Sequence, residues 1–249
     1  MKYEMKNEPN GAPQNSPACR VGSECPAAPF AIAIDGPSGA GKSTVAKLLA
    51  KRLGIVYVDT GAMYRALGLK ALRLGIDPAN SEQVIPILPG SSVTIGYFGG
   101  AQHIFLDGED VTGLIRTEEV SQAASKISAI AEVRDKLMEL QRALAEKESL
   151  VMDGRDIGTV VLPNARYKFY ITASAEVRAE RRYLEYEQKG TLGGRRLEEI
   201  LAEIVERDER DMNREVAPLR PAEGAAVVDT SELGVDEVVA EVLSLMGRC

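Results

Sequence analysis

The chain reads as an α/β protein, a parallel sheet covered by helices on both faces. Two observations carry that reading. Five short apolar runs, at Phe30–Ile34, Ile55–Val58, Leu150–Met152, Tyr167–Ile171 and Ala225–Val228, lack the polar alternation of a half-wet sheet. Stretches with apolar residues at helical spacing separate them, which is the pattern of strand–helix–strand units stacked in three layers. A third observation concerns what ends the runs. Asp35, Asp59 to Gly61, Asp153 to Asp156 and Thr172 are polar and fall at carboxyl ends, where sheets of this class collect their ligands.

Taken in order, residues 1–28 are rich in Pro, Asn, Ser, Gly and charge without periodicity, and are expected to be a disordered extension. The first strand leads into Gly36-Pro37-Ser38-Gly39-Ala40-Gly41-Lys42-Ser43-Thr44, a G-x-x-x-x-G-K-[ST] phosphate-binding loop without mismatch. A helical pattern follows from Thr44 to Leu53, so strand, glycine loop and helix stand in the order the motif needs. The glycines let successive N–H groups face one anion, and the helix start adds its positive dipole end. Lys42 can reach the outer phosphates of a nucleoside triphosphate, and the Ser43 hydroxyl can ligate Mg²⁺, with Asp35 or Asp59 holding metal-bound water.

Beyond the second strand a helix is expected from Ala62 to Leu74, closed by Gly75. Ser92–Tyr97 and His103–Leu106 flank Gly99-Gly100 and read as a β-hairpin, with His103 a surface residue. A long helical stretch runs from about Thr117 to Glu148 with a break near Ser128. Two charged helices, about 174–189 and 194–215, precede the last strand and a helix from Val235 to Met246. Between the charged helices lies Gly190-Thr191-Leu192-Gly193-Gly194, which gives the pair the form of a closing lid.

Composition narrows the function. Hydrophobic residues at 45% and charged residues at 27% are ordinary for a folded domain. A net charge of −7 speaks against sequence-independent nucleic-acid binding. No apolar stretch reaches membrane-spanning length and no signal core opens the chain, so a cytoplasmic protein is expected. Cys19, Cys25 and Cys249 are too scattered for a disulfide framework or metal site. The single histidine removes any mechanism that needs two.

Arginines supply the positive charge that phosphoryl transfer requires over the equatorial oxygens. Arg65 sits in the first turns of a helix aimed at the catalytic edge, and Arg155 lies within Asp153-Gly154-Arg155-Asp156 at a strand end. Arg178, Arg181 and Arg182 share one helix face, and Arg207, Arg210 and Arg214 share another. Interleaved acids make a solvated salt-bridge pattern the expected state of Arg182 and Arg210.

The ordered set of motifs resembles the bacterial cytidylate kinases, P-loop nucleoside monophosphate kinases that phosphorylate CMP and dCMP with ATP. It rests on Ile34–Thr44, Asp59–Arg65, Asp107–Val111, Ile115–Val120, Asp153–Val161 and Glu206–Asp211, and spans about Ala31 to Met246. The resemblance implies a P-loop kinase fold with a five-stranded parallel sheet as one domain over 29–249. A monophosphate-binding region would span about 61–149, with a β insert at about 85–115, and a helical lid about 178–215. It further implies that Gly36 to Thr44 bind ATP, and that Lys42, Arg155, Arg178, Arg181 and Arg207 are catalytic. Thr60, Arg65 and Arg155 would hold the CMP phosphate, joined by Arg214, with Tyr64 a further CMP-binding residue and Asp211 on the ribose hydroxyls. Ser125, Arg134 and Asp156 would read the cytosine edge, which offers an amine donor and two acceptors. Mg²⁺ is the implied cofactor and a monomer the implied state. Other small-molecule P-loop kinases, for adenylate, thymidylate or shikimate, share the loop. A nucleotide-dependent switch or ATPase does so too, though the acidic balance and the lack of an N-K-x-D guanine reader weigh against it.

Overall fold

The computed structural model describes residues 28–247. Calls on residues 1–27, Cys19 and Cys25 among them, and on Cys249 lie outside the described residues.

Among the described residues, eight strands and eight α-helices follow one another as β1 (Ala31–Asp35), α1 (Lys42–Leu53), β2 (Val56–Asp59), α2 (Thr60–Arg73), α3 (Ser81–Val84), β3 (Val93–Phe98), β4 (Ala101–Leu106), β5 (Glu109–Asp110), α4 (Glu118–Ile127), α5 (Ala131–Lys147), β6 (Leu150–Asp153), β7 (Tyr167–Thr172), α6 (Ala175–Gln188), α7 (Leu197–Asn213), β8 (Ala226–Asp229) and α8 (Val235–Met246). Five strands form one sheet in the order β2-β6-β1-β7-β8, all parallel, as the apolar runs predict. Side chains alternate between its faces. Ile32, Ile34, Val151, Phe169 and Ile171 pack beneath α1 and α8, whereas Ala33, Val58, Leu150 and Met152 pack beneath α2, α4 and α5. Both faces are therefore covered, and the three layers follow from the lack of polar alternation.

The register sets the catalytic edge. Asp153 of β6 lies opposite Ile34 of β1 and Asp59 of β2, so the polar ends of three strands converge. Immediately after β1 the backbone turns at Gly36, with φ 142°; a Cβ there would stand 1.9 Å from the carbonyl oxygen of Ile171, so only glycine fits. Gly39, at φ 82°, brings the loop backbone against Arg178, whose Cβ would be 3.3 Å from an added methyl.

Three details differ from expectation. α2 starts at Thr60, ahead of Ala62, because the Asp59 carboxylate accepts the Ala62 N–H and caps the first turn. The hairpin gains a third strand, β5, through Leu106↔Glu109 and Phe105↔Asp110 pairing. Residues Ile157–Val161 form a wide π turn in which Val161 and Leu162 N–H groups reach back five residues to Asp156 and Ile157 carbonyls. The β3–β5 sheet buries Val93, Ile104, Leu106 and Val111 against the α2 side of the main core. The α6–α7 pair instead has a small core of its own, Ala179, Ile200 and Ile204. No helix among the described residues is long and apolar enough to cross a membrane.

Candidate active site

The strand ends, the glycine loop and the α6–α7 pair enclose a cleft of about 660 Å³. At one end the loop backbone wraps Lys42, whose ammonium donates to the Pro37 carbonyl at 2.6 Å. Burial and the nearby Arg155 charge push the Lys42 pKa well down. An incoming polyanion would relieve both effects. Arg178 is buried and braces this loop from outside, donating to the carbonyls of Ser38 (3.1 Å) and Ala173 (2.9 Å) and to Asp208 (2.6 Å). Arg181 lines the cleft and donates to Thr230, to its hydroxyl at 3.0 Å and its carbonyl at 2.5 Å.

Beneath the loop lies a carboxylate. The Ser43 hydroxyl donates to Asp153 Oδ2 at 2.7 Å, and Tyr57 donates to Oδ1 at 3.0 Å. Burial raises the Asp153 pKa, and the neighbouring Asp59 carboxylate raises it further. A hydroxyl beside a crowded carboxylate is an oxygen donor set suited to Mg²⁺, which keeps most of its shell as water and phosphate oxygen. Among the described residues no cluster of three or more acids, histidines or cysteines is placed to hold a metal. Asp35 is not the partner of Ser43. Its two oxygens accept the Ile157 and Gly158 amides at 2.7 Å each, so the carboxylate is consumed inside the fold.

The middle of the cleft is cationic. Arg155 donates to Asp211 at 2.9 Å and to the Gly154 carbonyl at 3.2 Å. Arg207 is half-buried, with one guanidinium nitrogen on the Ser121 hydroxyl at 3.1 Å and its Nε unpartnered among the described residues. Burial and then the Arg155 charge bring its pKa down to about 10, so it stays charged at neutral pH. On the β2 side Arg65 pairs with Asp59 at 2.8 Å, and Arg116 reaches the same oxygen at 3.3 Å. Burial opposes charge on Asp59, but Arg65 and Arg116 outweigh it and hold the pKa below the ordinary value. The Thr60 hydroxyl donates to the Asp153 carbonyl at 2.7 Å.

The far end is a buried polar pocket. Asp156 takes the Arg134 guanidinium on one oxygen, while Arg214 stands 3.5 Å from the other. Tyr64 lies over this group, its ring centre 6.0 Å from the Arg134 guanidinium carbon, and burial pushes its phenol up to about 12. Ser125 also lines the cleft.

Known proteins match this chain closely in sequence. A family model described as cytidylate kinase matches residues 32–248. The chain belongs to the cytidylate kinase family. It is 52% identical over 214 residues to the cytidylate kinase of Caldicellulosiruptor bescii, covering 86% of this chain and 94% of that protein. Against the cytidylate kinase of Shewanella oneidensis it is 48% identical over 221 residues, 87% and 94% of the two chains. Among solved structures, a shikimate kinase from Bacteroides thetaiotaomicron aligns over 88% of this chain and 98% of its own, at a TM-score of 0.47 and 14% identity.

For a member of the cytidylate kinase family, most residues singled out by sequence lie on one cleft. Lys42, Ser43, Thr60, Tyr64, Arg65, Ser125, Arg134, Arg155, Asp156, Arg181, Arg207, Asp211 and Arg214 all line it, with Ser38 to Thr44 of the loop. Arg178 stands behind the loop rather than in the cleft wall. Sequence reasoning passed over four groups. By sequence Asp153 stands out only within its Asp-Gly-Arg-Asp motif, and Tyr57 only as a residue of the second strand. Arg182 donates to the Ser38 hydroxyl at 2.9 Å and Arg210 to the Ser125 hydroxyl at 3.1 Å, so neither is a merely solvated helix charge. For Arg182 the signal was present: it lies four residues beyond Arg178 on one helix face.

Proposed function

We propose that this protein, a transferase, moves the γ-phosphoryl group of ATP to CMP and dCMP, giving CDP and dCDP. The observation that carries the acceptor is the buried Asp156 between Arg134 and Arg214. A carboxylate paired with two guanidiniums accepts from the cytosine amine, while Ser125 and Arg134 offer donors to N3 and O2.

The acceptor nucleophile is a phosphate oxygen, anionic at neutral pH, so no general base is needed. That oxygen attacks the γ-phosphorus, the bond to the β–γ bridging oxygen breaks, and ADP leaves with the electron pair. Arg65, Arg155 and the Thr60 hydroxyl orient the acceptor phosphate, with Arg214 beside them. Asp211 fixes Arg155 through its 2.9 Å contact and faces the ribose hydroxyls. The loop amides from Gly36 to Thr44 cradle the donor phosphates, and Lys42 meets the outer ones. Arg207, together with Arg178, Arg181 and Arg182 around the loop, places positive charge where it spreads over the transferring group. Ser43 and Asp153 would hold Mg²⁺, which when bound neutralises and orients the donor phosphates. Closure of the α6–α7 pair excludes water and limits futile ATP hydrolysis. One chain lines the whole cleft, and a monomer suffices.

The test is ADP release with ATP and Mg²⁺ against CMP, dCMP, UMP, AMP, dTMP and no acceptor. Turnover is expected with CMP and dCMP, less with UMP and almost none otherwise. Preference for AMP or dTMP would overturn the base-reading assignment, and acceptor-independent ADP release would overturn phosphoryl transfer to a nucleotide.

A further inference from the structure

We propose that Arg210 determines the preference for cytosine over uracil by fixing the Ser125 hydroxyl as a hydrogen-bond donor. The inference rests on the reading that Ser125 faces the acceptor base, and it concerns a residue that touches no substrate itself.

Arg210 lies near the end of α7, where an exposed salt bridge would be the ordinary outcome. One half of its guanidinium does behave that way, donating to Glu206 Oε1 at 2.5 Å one turn back. The other half turns inward. Its Nη1 donates to the Ser125 hydroxyl oxygen at 3.1 Å, joining α7 to α4 across the base end of the cleft. Ser125 is 5% exposed, and its backbone carbonyl is taken by the Ser128 hydroxyl at 2.8 Å. The Glu206 anchor matters because a guanidinium held at both ends of its fork has little freedom to turn away.

A serine hydroxyl has one proton and two lone pairs. With a cationic N–H directed at its oxygen, the proton must point off that axis. Among the described residues the Ser125 hydroxyl donates to no other group, so its proton is left for whatever occupies the cleft. The adjacent cation also polarises the O–H and makes it a stronger donor. Cytosine presents acceptors at both N3 and O2, whereas uracil carries a proton on N3. Facing N3, a fixed donor therefore pairs with cytosine and meets uracil donor to donor. A serine free to rotate could accept from the uracil N–H and would discriminate less.

The experiment is kcat/KM for CMP and for UMP in the full chain and in Arg210→Met, Arg210→Lys, Ser125→Ala and the double variant Ser125→Ala/Arg210→Met. The ratio of the two values cancels any loss of active protein, so poorer folding alone does not move it. Arg210→Met is expected to lower the CMP-to-UMP ratio about tenfold, the usual scale for a charge-assisted hydrogen bond. Arg210→Lys, which keeps a charged donor, should retain most of the ratio. In the Ser125→Ala background, Arg210→Met should change the ratio no further. If Ser125→Ala collapses the ratio and Arg210→Met leaves it intact, the Arg210 proposal is overturned while the base-reading assignment stands. An equal loss from Arg210→Met in both backgrounds overturns it as well, because Arg210 would then act without Ser125. An unchanged ratio in Ser125→Ala removes the base-reading assignment itself, and the proposal with it.

Discussion

Asp35 ends β1 with both carboxylate oxygens inside the protein, each on a backbone amide of the π turn, and it is 2% exposed. Burial outweighs those two hydrogen bonds and raises its pKa from 3.8 to about 6. Between those values the folded state binds more protons than the unfolded chain, so stability falls as pH rises through the window and is flat above it. A shift of that size corresponds to about 3 kcal/mol. Asp35→Asn removes this titration and turns an amide donor toward a backbone N–H, and should lower stability at every pH. The difference between parent and variant should be largest near pH 4 and shrink toward pH 6.5. Melting both proteins across that range checks the sign, since other groups titrate alike in the two. A difference that widens with pH would reject the raised pKa. By sequence an aspartate beside the glycine loop is a candidate to hold metal-bound water; in the fold each of its oxygens accepts a backbone amide of the π turn. Asp153 takes the place at Ser43 because β6 lies next to β1, and no local pattern announces that pairing.

Among the elements, α4 is where the acceptor side meets the arginine helices. Three consecutive turns of it are touched: Glu118 by Tyr186, Ser121 by Arg207, and Ser125 by Arg210. Glu118 also accepts from Gln122 at 2.9 Å. Burial opposes its charge, but the Tyr186 and Gln122 hydrogen bonds, with Arg182 and Arg207 nearby, bring its pKa down. The Tyr186 hydroxyl thus ties α6 to α4 while Glu118 faces two of the arginines near the donor site. Tyr186→Phe removes that one donor and keeps the ring packed in the α6–α7 core. The closed arrangement should then be less populated, and the apparent ATP affinity falls with it. We expect the KM for ATP to rise about fivefold, with a melting temperature within about 2 °C of the parent. Steady-state kinetics with ATP varied at saturating CMP decides it, and an unchanged KM would show that the contact does not govern closure. Most elements were legible from sequence, because an unbroken apolar run means a strand buried on both faces and apolar spacing of three and four means a helix. Short or non-local features were not. β5 is two residues long, α3 is four, and the insertion of β6 between β1 and β2 depends on partners about a hundred residues away. Arg182 and Arg210 looked solvated because their acidic neighbours in sequence satisfy the local pattern; their loop and α4 partners lie 144 and 85 residues distant.

At the scale of the whole molecule, stability is partitioned unevenly. Two large apolar clusters sandwich the sheet, while α6 and α7 share only a small third one built on Ala179, Ile200 and Ile204. Removing a buried isoleucine side chain to alanine costs about 2–5 kcal/mol wherever it is. The consequence depends on the cooperative unit it belongs to. Ile32 and Ile200 are both 0% exposed, which makes them a matched pair. Ile32→Ala weakens the sheet core, and the loss should appear in full as a fall in melting temperature of roughly 5–15 °C. Ile200→Ala weakens the α6–α7 pair, which can open while the sheet stays folded. Its melting temperature should fall by less than half as much, whereas its KM for ATP should rise more. Limited proteolysis separates the two further. The glycine-rich link between α6 and α7 should be cut faster in Ile200→Ala, and ATP with CMP should slow that cut by favouring the closed form. Equal melting losses in the two variants, with no selective cleavage between α6 and α7, would mean that the pair folds and unfolds with the sheet. In that case closure would be a rigid swing of two packed helices rather than an ordering of the pair by its substrates.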